Sequence, residues 1–475
     1  MAGRESYDLV VIGAGPGGYV ACLRAAQLGL KVACVEKNKR LGGVCLNVGC
    51  IPSKALLDSS EYFYLAKNRL AEHGIRAGRL ELDLGATMAR KDQVVEDLTH
   101  SVRKLLEGRK VKIFHGSGRL LDEHTVEVRA DAEGSADAKG LLLTADHVLL
   151  ATGSEPIEIP TAPFDGKRIV SSTEALSFDA VPEHLAIVGG GYIGLELGSL
   201  WSRLGAAVTV IEMMPKIATV LDGQISRSLQ RVLAGQGLSF KLKTKVLGAE
   251  VREGRVVLTL ESDEQNDEMT CDRLLVATGR RPLTRGLNLD QVGVKIEVKT
   301  GQVLVDHTYR TNIGSIYAIG DLTAGPMLAH KASAEAVAAV EGIAGLAGAV
   351  NYDVIPSVIY TSPEVAGVGL TEEQVKERGI DYCVGSRPFS GVGRARCMGE
   401  TEGLVKVIAH SRTDRVLGIH IIGARASEII AECALALEFG ASSEDIARTV
   451  HAHPTFAEAL REAALSVQEC PRYAS

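Results

Sequence analysis

Two glycine-rich loops in equivalent settings constrain this chain more than any other feature of its sequence. The apolar run Tyr7-Asp-Leu-Val-Val-Ile leads into Gly13-Ala-Gly15-Pro-Gly17-Gly18, and a helical stretch follows to about Leu28. The run Lys31-Val-Ala-Cys-Val-Glu36 then ends on an acid. The whole unit recurs as His184-Leu-Ala-Ile-Val, the loop Gly189-Gly-Gly191-Tyr-Ile-Gly194, a helical stretch to about Leu204, and Ala207-Val-Thr-Val-Ile-Glu212. With 51 glycines in 475 residues a single such loop is weak evidence. Here each copy sits between a strand pattern and a helix pattern, and its acid stands at the same distance from the first glycine. Pyrophosphate binding needs all of these parts: glycines for the tight turn and close approach, a helix N-terminus for the anion, a carboxylate for the ribose hydroxyls. The chain is therefore read as binding two dinucleotides.

A smaller echo suggests how the copies are divided. Val148-Leu-Leu-Ala-Thr-Gly153 and Leu274-Leu-Val-Ala-Thr-Gly279 are buried-strand runs closing on Ala-Thr-Gly, each placed to end a nucleotide domain, and Ser315-Ile-Tyr-Ala-Ile-Gly320-Asp321 is another such strand. Gly254–Cys271, with its acidic Glu261–Glu268 turn, reads as a hairpin on the second domain. Residues 329–350 read as an alanine-rich helix. The region from Asn351 shows alternating strands (Leu404–Ile408, Val416–Ile422) and two helical patterns. The net charge of −7 argues against a nucleic-acid partner. The most apolar long stretch, Leu328–Val350, carries His330, Lys331, Glu335 and Glu341, so no spanning helix is expected. The fold class is α/β.

The redox candidate is Cys45-Leu-Asn-Val-Gly-Cys50-Ile-Pro-Ser-Lys54. In regular helix five residues rise about 7.5 Å, beyond the roughly 6.8 Å that a disulfide tolerates between Cα atoms. Bridging these cysteines requires a distorted turn, which Gly49 permits. Pro52 suits the first turn of a helix whose positive end lies near Cys50, and Lys54 is one turn further on; both favour thiolate. Cys22, Cys34, Cys271, Cys383, Cys397 and Cys433 are expected to be buried and unbridged, and Cys470 a bystander. Nine cysteines at this density suggest a reducing compartment. No second pair at ligand spacing accompanies them, so no metal site is expected.

Taken together, the first glycine loop, Gly42–Lys54, the second glycine loop with Ala-Thr-Gly-Arg-Arg-Pro (277–282), and His451-Ala-His453-Pro-Thr-Phe-Ala-Glu458 resemble the dihydrolipoyl dehydrogenases over essentially the whole chain. The resemblance implies two Rossmann-like dinucleotide-binding domains, one for FAD (1–155) and an inserted one for NAD (156–279). It further implies a central segment completing the FAD site (280–350) and an α+β C-terminal dimerisation domain (351–475). FAD contacts would be Gly13, Gly15, Gly18, Glu36, Lys54, Gly118, Thr152, Gly153, Ser154, Asp321 and Met327, Leu328, Ala329 and His330. NAD contacts would be Gly189, Gly191, Gly194, Glu196, Glu212, Val246 and Gly279. Cys50 would be the thiol beside the flavin and Cys45 the outer one, with Lys54 pairing with Glu196. His453 would be the base, oriented by Glu458 and supplied from the other subunit of a homodimer. A dithiol must lose protons before it attacks, and histidine titrates in the right range. His451 is expected to be structural.

The implied reaction is oxidation of protein-bound dihydrolipoamide through a Cys45–Cys50 disulfide and FAD, with NAD reduced. The implied partners are a lipoyl-bearing acyltransferase subunit of a 2-oxoacid dehydrogenase complex or the glycine cleavage H protein. Glutathione-type and mercuric reductases share the flavin–cysteine core. Glu212, followed by Met213, Met214 and Pro215, opposes a 2′-phosphate, and the chain lacks a terminal vicinal cysteine pair. A subunit kept mainly for docking is opposed by the intact Cys45, Cys50, Lys54, His453 and Glu458. Val44 departs from the threonine usual in the family, and Arg394 and Arg396 have no role beyond loop charge. The short stretch before Tyr7 favours a bacterial cytoplasm, with a processed mitochondrial matrix protein as the alternative.

Overall fold

The computed structural model describes residues 5–76, 78–129, 140–262 and 265–470. They form two compact units, Met1–Ala55 with Ala86–Ile157 and Gly279–Val350, and Leu56–Gly85 with Glu158–Thr278 and Asn351–Ser475. In the first unit Glu5–Ile12 lies between Val32–Glu36 and Leu141–Leu150, all parallel, with Lys112–His115 beyond Val32–Glu36. The far edge of Leu141–Leu150 is shared: its start pairs with Thr125–Arg129 antiparallel, and its end with Ile316–Ala318 parallel. Leu9, Val10 and Val11 are fully buried, as expected of a strand covered on both faces.

The second unit repeats the plan. His184–Val188 lies between Ala207–Ile211 and Arg273–Val276 in a five-stranded parallel sheet. In both sheets the strand that opens into the glycine loop is flanked by the strand ending at the acid and by the strand ending at Ala-Thr-Gly. That is the strand-order reversal at which α/β sheets bind ligands. The hairpin expected at 254–271 belongs to a three-stranded antiparallel sheet, Thr244–Arg252, Arg255–Ser262 and Gln265–Cys271. The tip of its acidic turn, 263–264, lies outside the described residues.

The C-terminal region is a five-stranded antiparallel sheet in the order Ser357–Ile359, Glu364–Gly369, Val416–Gly423, Leu404–His410 and Tyr382–Pro388. Among the described residues it carries five α-helices where the sequence suggested two helical patterns. Glu372–Glu377 and Ser443–Arg448 are too short to show periodicity and start at capping boxes on Thr371 and Ser442. Arg394 and Arg396 lie on a third short helix, Gly393–Met398, and not in a loop. The alanine-rich helix spans Ala329–Ile343 and stops short of Val350; Gly345, at φ 78°, turns the chain so that the Leu346 N–H donates to the Glu341 carbonyl.

The cysteine expectations need two corrections. Cys383 and Cys470 form a disulfide with Cα atoms 6.0 Å apart, spanning 87 positions, and Cys397 is exposed. Strand 382–388 and the segment around Cys470 meet only through tertiary packing, which no spacing rule reveals. Cys22, Cys34, Cys271 and Cys433 are buried free thiols, as expected.

One buried charge cluster ties the second unit together. Lys406, 1% exposed, donates to Asp222 at 2.8 Å and to Glu372 at 2.6 Å. Asp222 also caps the helix Gly223–Gly235 through the Gln224 N–H. Burial would raise the Glu372 carboxyl, but bonds from Lys376, Lys406 and Tyr382 outweigh it and hold it at about 2. Its stabilisation is therefore complete above the usual glutamate range and is lost as pH falls from about 4.3 towards 2. Removing one partner of a buried pair strands the other charge. Lys406→Ala should destabilise the protein by about 3 kcal/mol or more, read as an earlier midpoint in urea; an unchanged midpoint would mean the cluster is neutral.

Candidate active site

The two loops share a geometry built from their glycines. Gly13 and Gly189 have φ of 105° and 107°, where side chains are strained. A Cβ there would lie 2.4 Å from the Ala151 carbonyl oxygen in the first copy and 2.5 Å from that of Ala277 in the second. These are the alanines of the two Ala-Thr-Gly runs, so the echo in the sequence marks the backbone on which each loop rests. Gly18 and Gly194 approach the carbonyls of Gly13 and Gly189, at 1.9 and 2.2 Å from a notional Cβ. The acids match as well. Glu36 accepts from the Ala14 and Asn38 N–H groups, and Glu212 from those of Gly190 and Met214. Each carboxylate is thus fixed at the mouth of its loop. Gly15 and Gly191 stand at the N-caps of the helices Pro16–Gln27 and Tyr192–Leu204, with no side-chain cap, so the first N–H groups of each helix are left for an anion. The residues present fit two dinucleotides.

The dithiol is backed onto the first loop. A Cβ on Gly43 would lie 2.6 Å from the Gly15 Cα, and the Gly42 N–H donates to the Ala14 carbonyl. The short helix Gly43–Val48 carries Cys45, Gly49 breaks it, and a new helix, Cys50–Asn68, starts at once. Only glycine fits the break, since a Cβ there would meet the Val44 carbonyl at 2.9 Å. The break brings the thiols into contact as free cysteines, Cys45 hydrogen-bonded to Cys50. That bond, reinforced by burial, pushes the Cys45 thiol far up, while Lys54 opposes it. Cys50 stands at the positive end of the helix Cys50–Asn68, which favours a thiolate there. Val44 is 42% exposed, so the methyl that replaces a hydroxyl there is not buried.

Several other expected contacts gather in the first unit. Thr152 donates to the Leu283 carbonyl, and Ser154 to Asp321. Gly118 packs flat on the sheet, a notional Cβ meeting Val35 and Ile12 at 3.0 and 3.1 Å. Met327 and the N-cap Leu328 lead into the helix Ala329–Ile343, whose first residues are Ala329 and His330. Two residues given no role in the sequence analysis belong here. Arg280 donates to the Ser154 hydroxyl and carbonyl at 2.8 and 2.6 Å. Burial holds its guanidinium below the usual arginine value, against the charges of Asp321 and Cys50. Burial, then Cys45 and Cys50, raise the phenol of Tyr19. Arg280 lay inside the quoted 277–282 motif, whereas Tyr19 carried no signal.

In the second unit Val246 is buried on the strand Thr244–Arg252. Glu196 is also buried, accepting from the Tyr360 N–H at 3.0 Å, and is not a solvated helix residue. Gly279, assigned to the NAD site, falls at the edge of the first unit with φ 139°. His453 Nδ1 lies 2.8 Å from Glu458 Oε1, while the imidazole is 77% exposed. The Thr455 N–H, then His453, lower the Glu458 carboxyl, keeping it ionised. His451 is enclosed, with Nδ1 2.9 Å from the Thr449 carbonyl and Nε2 2.9 Å from Glu432.

Comparison with known proteins agrees with this arrangement. Residues 7–336 match the pyridine nucleotide-disulphide oxidoreductase family, and residues 355–464 match that family's dimerisation domain, so the assembly is a homodimer. The chain is 47% identical over 472 residues to a mitochondrial dihydrolipoyl dehydrogenase of Pisum sativum, covering 99% of this chain and 93% of the pea protein. It is 49% identical to the mitochondrial dihydrolipoyl dehydrogenase of Schizosaccharomyces pombe, covering 98% and 90%. A leghemoglobin reductase of Glycine max is 47% identical, covering 99% and 89%. Among solved structures, the copper(II) complex of the HOCl-induced flavoprotein disulfide reductase RclA from Escherichia coli superposes with a TM-score of 0.86 at 25% identity, over 97% of this chain and 99% of that one. Twin dinucleotide loops, a dithiol behind the first and full-length similarity lead to one assignment: the chain belongs to the pyridine nucleotide-disulphide oxidoreductase family.

Proposed function

We propose that this protein is an NAD-dependent dihydrolipoyl dehydrogenase that holds FAD on its first loop and NAD on its second. The observation that carries the reading is the Cys45–Cys50 pair, held against the Gly13–Gly18 loop by the contact of Gly43 with Gly15. Bound FAD supplies the acceptor for the electron pair of the dithiol and the means of passing it to NAD as hydride. The remaining steps belong to this chain. His453, its tautomer fixed by Glu458, takes the proton of a dihydrolipoamide thiol at Nε2 and acts across the homodimer. The substrate thiolate attacks the Cys45 sulfur of the oxidised pair, and Cys50 leaves as thiolate. The second substrate sulfur then displaces Cys45, releasing the cyclic disulfide and leaving both cysteines reduced. Lys54, one turn along the helix that starts at Cys50, and the N-terminus of that helix stabilise the departing charge.

Coenzyme choice follows from Glu212. Its carboxylate suits ribose hydroxyls and repels a 2′-phosphate, and the next basic residue along the chain, Lys216, is turned to the Leu221 carbonyl. The partners are a lipoyl-bearing acyltransferase subunit or the glycine cleavage H protein. The location that suits them is the bacterial cytoplasm or the mitochondrial matrix, and the relatives from pea and fission yeast carry mitochondrial names. No helix among the described residues is long and apolar enough to cross a membrane.

Anaerobic titration with dihydrolipoamide should give a long-wavelength thiolate–flavin band, and NADH should form on adding NAD, about 100-fold faster than NADPH from NADP. Reduction by NADPH with no response to dihydrolipoamide would replace this reading with a glutathione- or mercuric-type reductase. Cys50→Ser should retain FAD and lose dithiol turnover; normal turnover would remove Cys50 from the mechanism. His453→Gln should keep the fold and lose about 10²–10⁴-fold in dihydrolipoamide oxidation, and a near-wild-type rate would point to another base.

A further inference from the structure

The Cys383–Cys470 disulfide lies outside the dithiol chemistry above and within a built contact. The helix Glu458–Ser466 and the short turn Val467–Glu469 lie along the strand Tyr382–Pro388, and the segment 458–470 meets its alternate residues Cys383, Gly385 and Arg387. Arg387 pairs with Glu462. Gly385 lets the helix backbone come close, since a Cβ there would meet the Ala463 carbonyl at 2.1 Å and the Val467 nitrogen at 2.6 Å. Cys383 is bonded to Cys470. Strand residues two apart share a face, so the disulfide is the last of three rungs on one face. The helix so held begins at Glu458, the partner of His453. Cys383 is 2% exposed, whereas Cys470 is partly exposed and closes the turn after the helix.

We propose that Cys383 and Cys470 are a second thiol–disulfide couple, closed by low-molecular-mass disulfides and opened by dithiols, whose closed form staples the Glu458 helix to its strand. Closure starts at the accessible sulfur. Cys470 thiolate attacks a disulfide RSSR, forming a mixed disulfide and releasing RS⁻; Cys383 thiolate then attacks the Cys470 sulfur and expels the second RS⁻. Two electrons pass from the cysteine pair to RSSR, and the two thiol protons go to the two RS⁻ groups. A dithiol runs the sequence in reverse, itself becoming a cyclic disulfide. The bond closes a loop of 87 positions, which constrains the unfolded chain strongly; with the bond open, the segment before Cys470 keeps the burial of Val467, the Arg387–Glu462 pair and the Ser466 hydroxyl on the Ser386 carbonyl, but Cys470 itself loses its tie to the strand. The assignment stands whether or not the protein oxidises dihydrolipoamide.

The test uses the FAD-loaded dimer, treated with oxidised glutathione or with dithiothreitol, then acid-quenched, alkylated and digested. After glutathione disulfide, mass spectrometry should find the Cys383 and Cys470 peptides linked; after dithiothreitol, both should be alkylated. In parallel, opening the bond should speed amide exchange in 458–470 by about tenfold or more. Cys470→Ser, at the less buried partner, should exchange at the open rate under both treatments, which separates this bond from Cys45 and Cys50. Alkylation of both cysteines after the oxidant would overturn the couple, and a bond that forms and opens with no change in exchange would overturn the staple.

Discussion

Backbone packed on backbone without a side chain between is the contact on which this protein depends. Gly13 rests on the Ala151 carbonyl and Gly189 on that of Ala277, at separations no Cβ survives. Each contact closes the end of a central strand against its neighbour, and each is clamped by a carboxylate from the strand on the other side: Glu36 on the Ala14 N–H, Glu212 on that of Gly190. Remove the closeness and the loop has neither its turn nor its helix N-terminus aimed at an anion. The same contact explains why the two Ala-Thr-Gly runs recur.

A second glycine contact carries the first loop's position to the dithiol. Gly15 and Gly43 touch, Gly49 interrupts the helix, and Cys45 meets Cys50 at the start of another. The contact with Cys50 and burial raise the outer thiol, while the inner one sits on a helix terminus that favours negative charge. Arg280, anchored on Ser154, which in turn donates to Asp321, adds a fixed cation to the same neighbourhood.

The C-terminal region depends on different forces. Its sheet is antiparallel, two of its short helices are capped by side chains, and a buried lysine with two carboxylates links it to the helix Gly223–Gly235 of the second parallel sheet's unit. The Glu458 helix is placed by the small size of Gly385 and by the bond from Cys383 to Cys470. His453 gets its orientation from that helix, so the base depends on packing that begins far away in the chain.

Local chemistry was legible in the sequence. Glycine, acid and cysteine spacings act over a few residues or one βαβ unit, and there the strands, both loops, the break at Gly49 and the Cys45–Cys50 contact followed from the order of residues. Short capped helices were not legible, because one and a half turns show no periodicity, and the alanine-rich stretch overran because composition does not mark where Gly345 turns the chain. The Cys383–Cys470 bond, the enclosure of Glu196, the Lys406 cluster and the role of Arg280 were decided by the tertiary structure alone. Each joins segments separated by tens to hundreds of positions, and burial or pairing at that range is a property of the packed chain that no local pattern encodes.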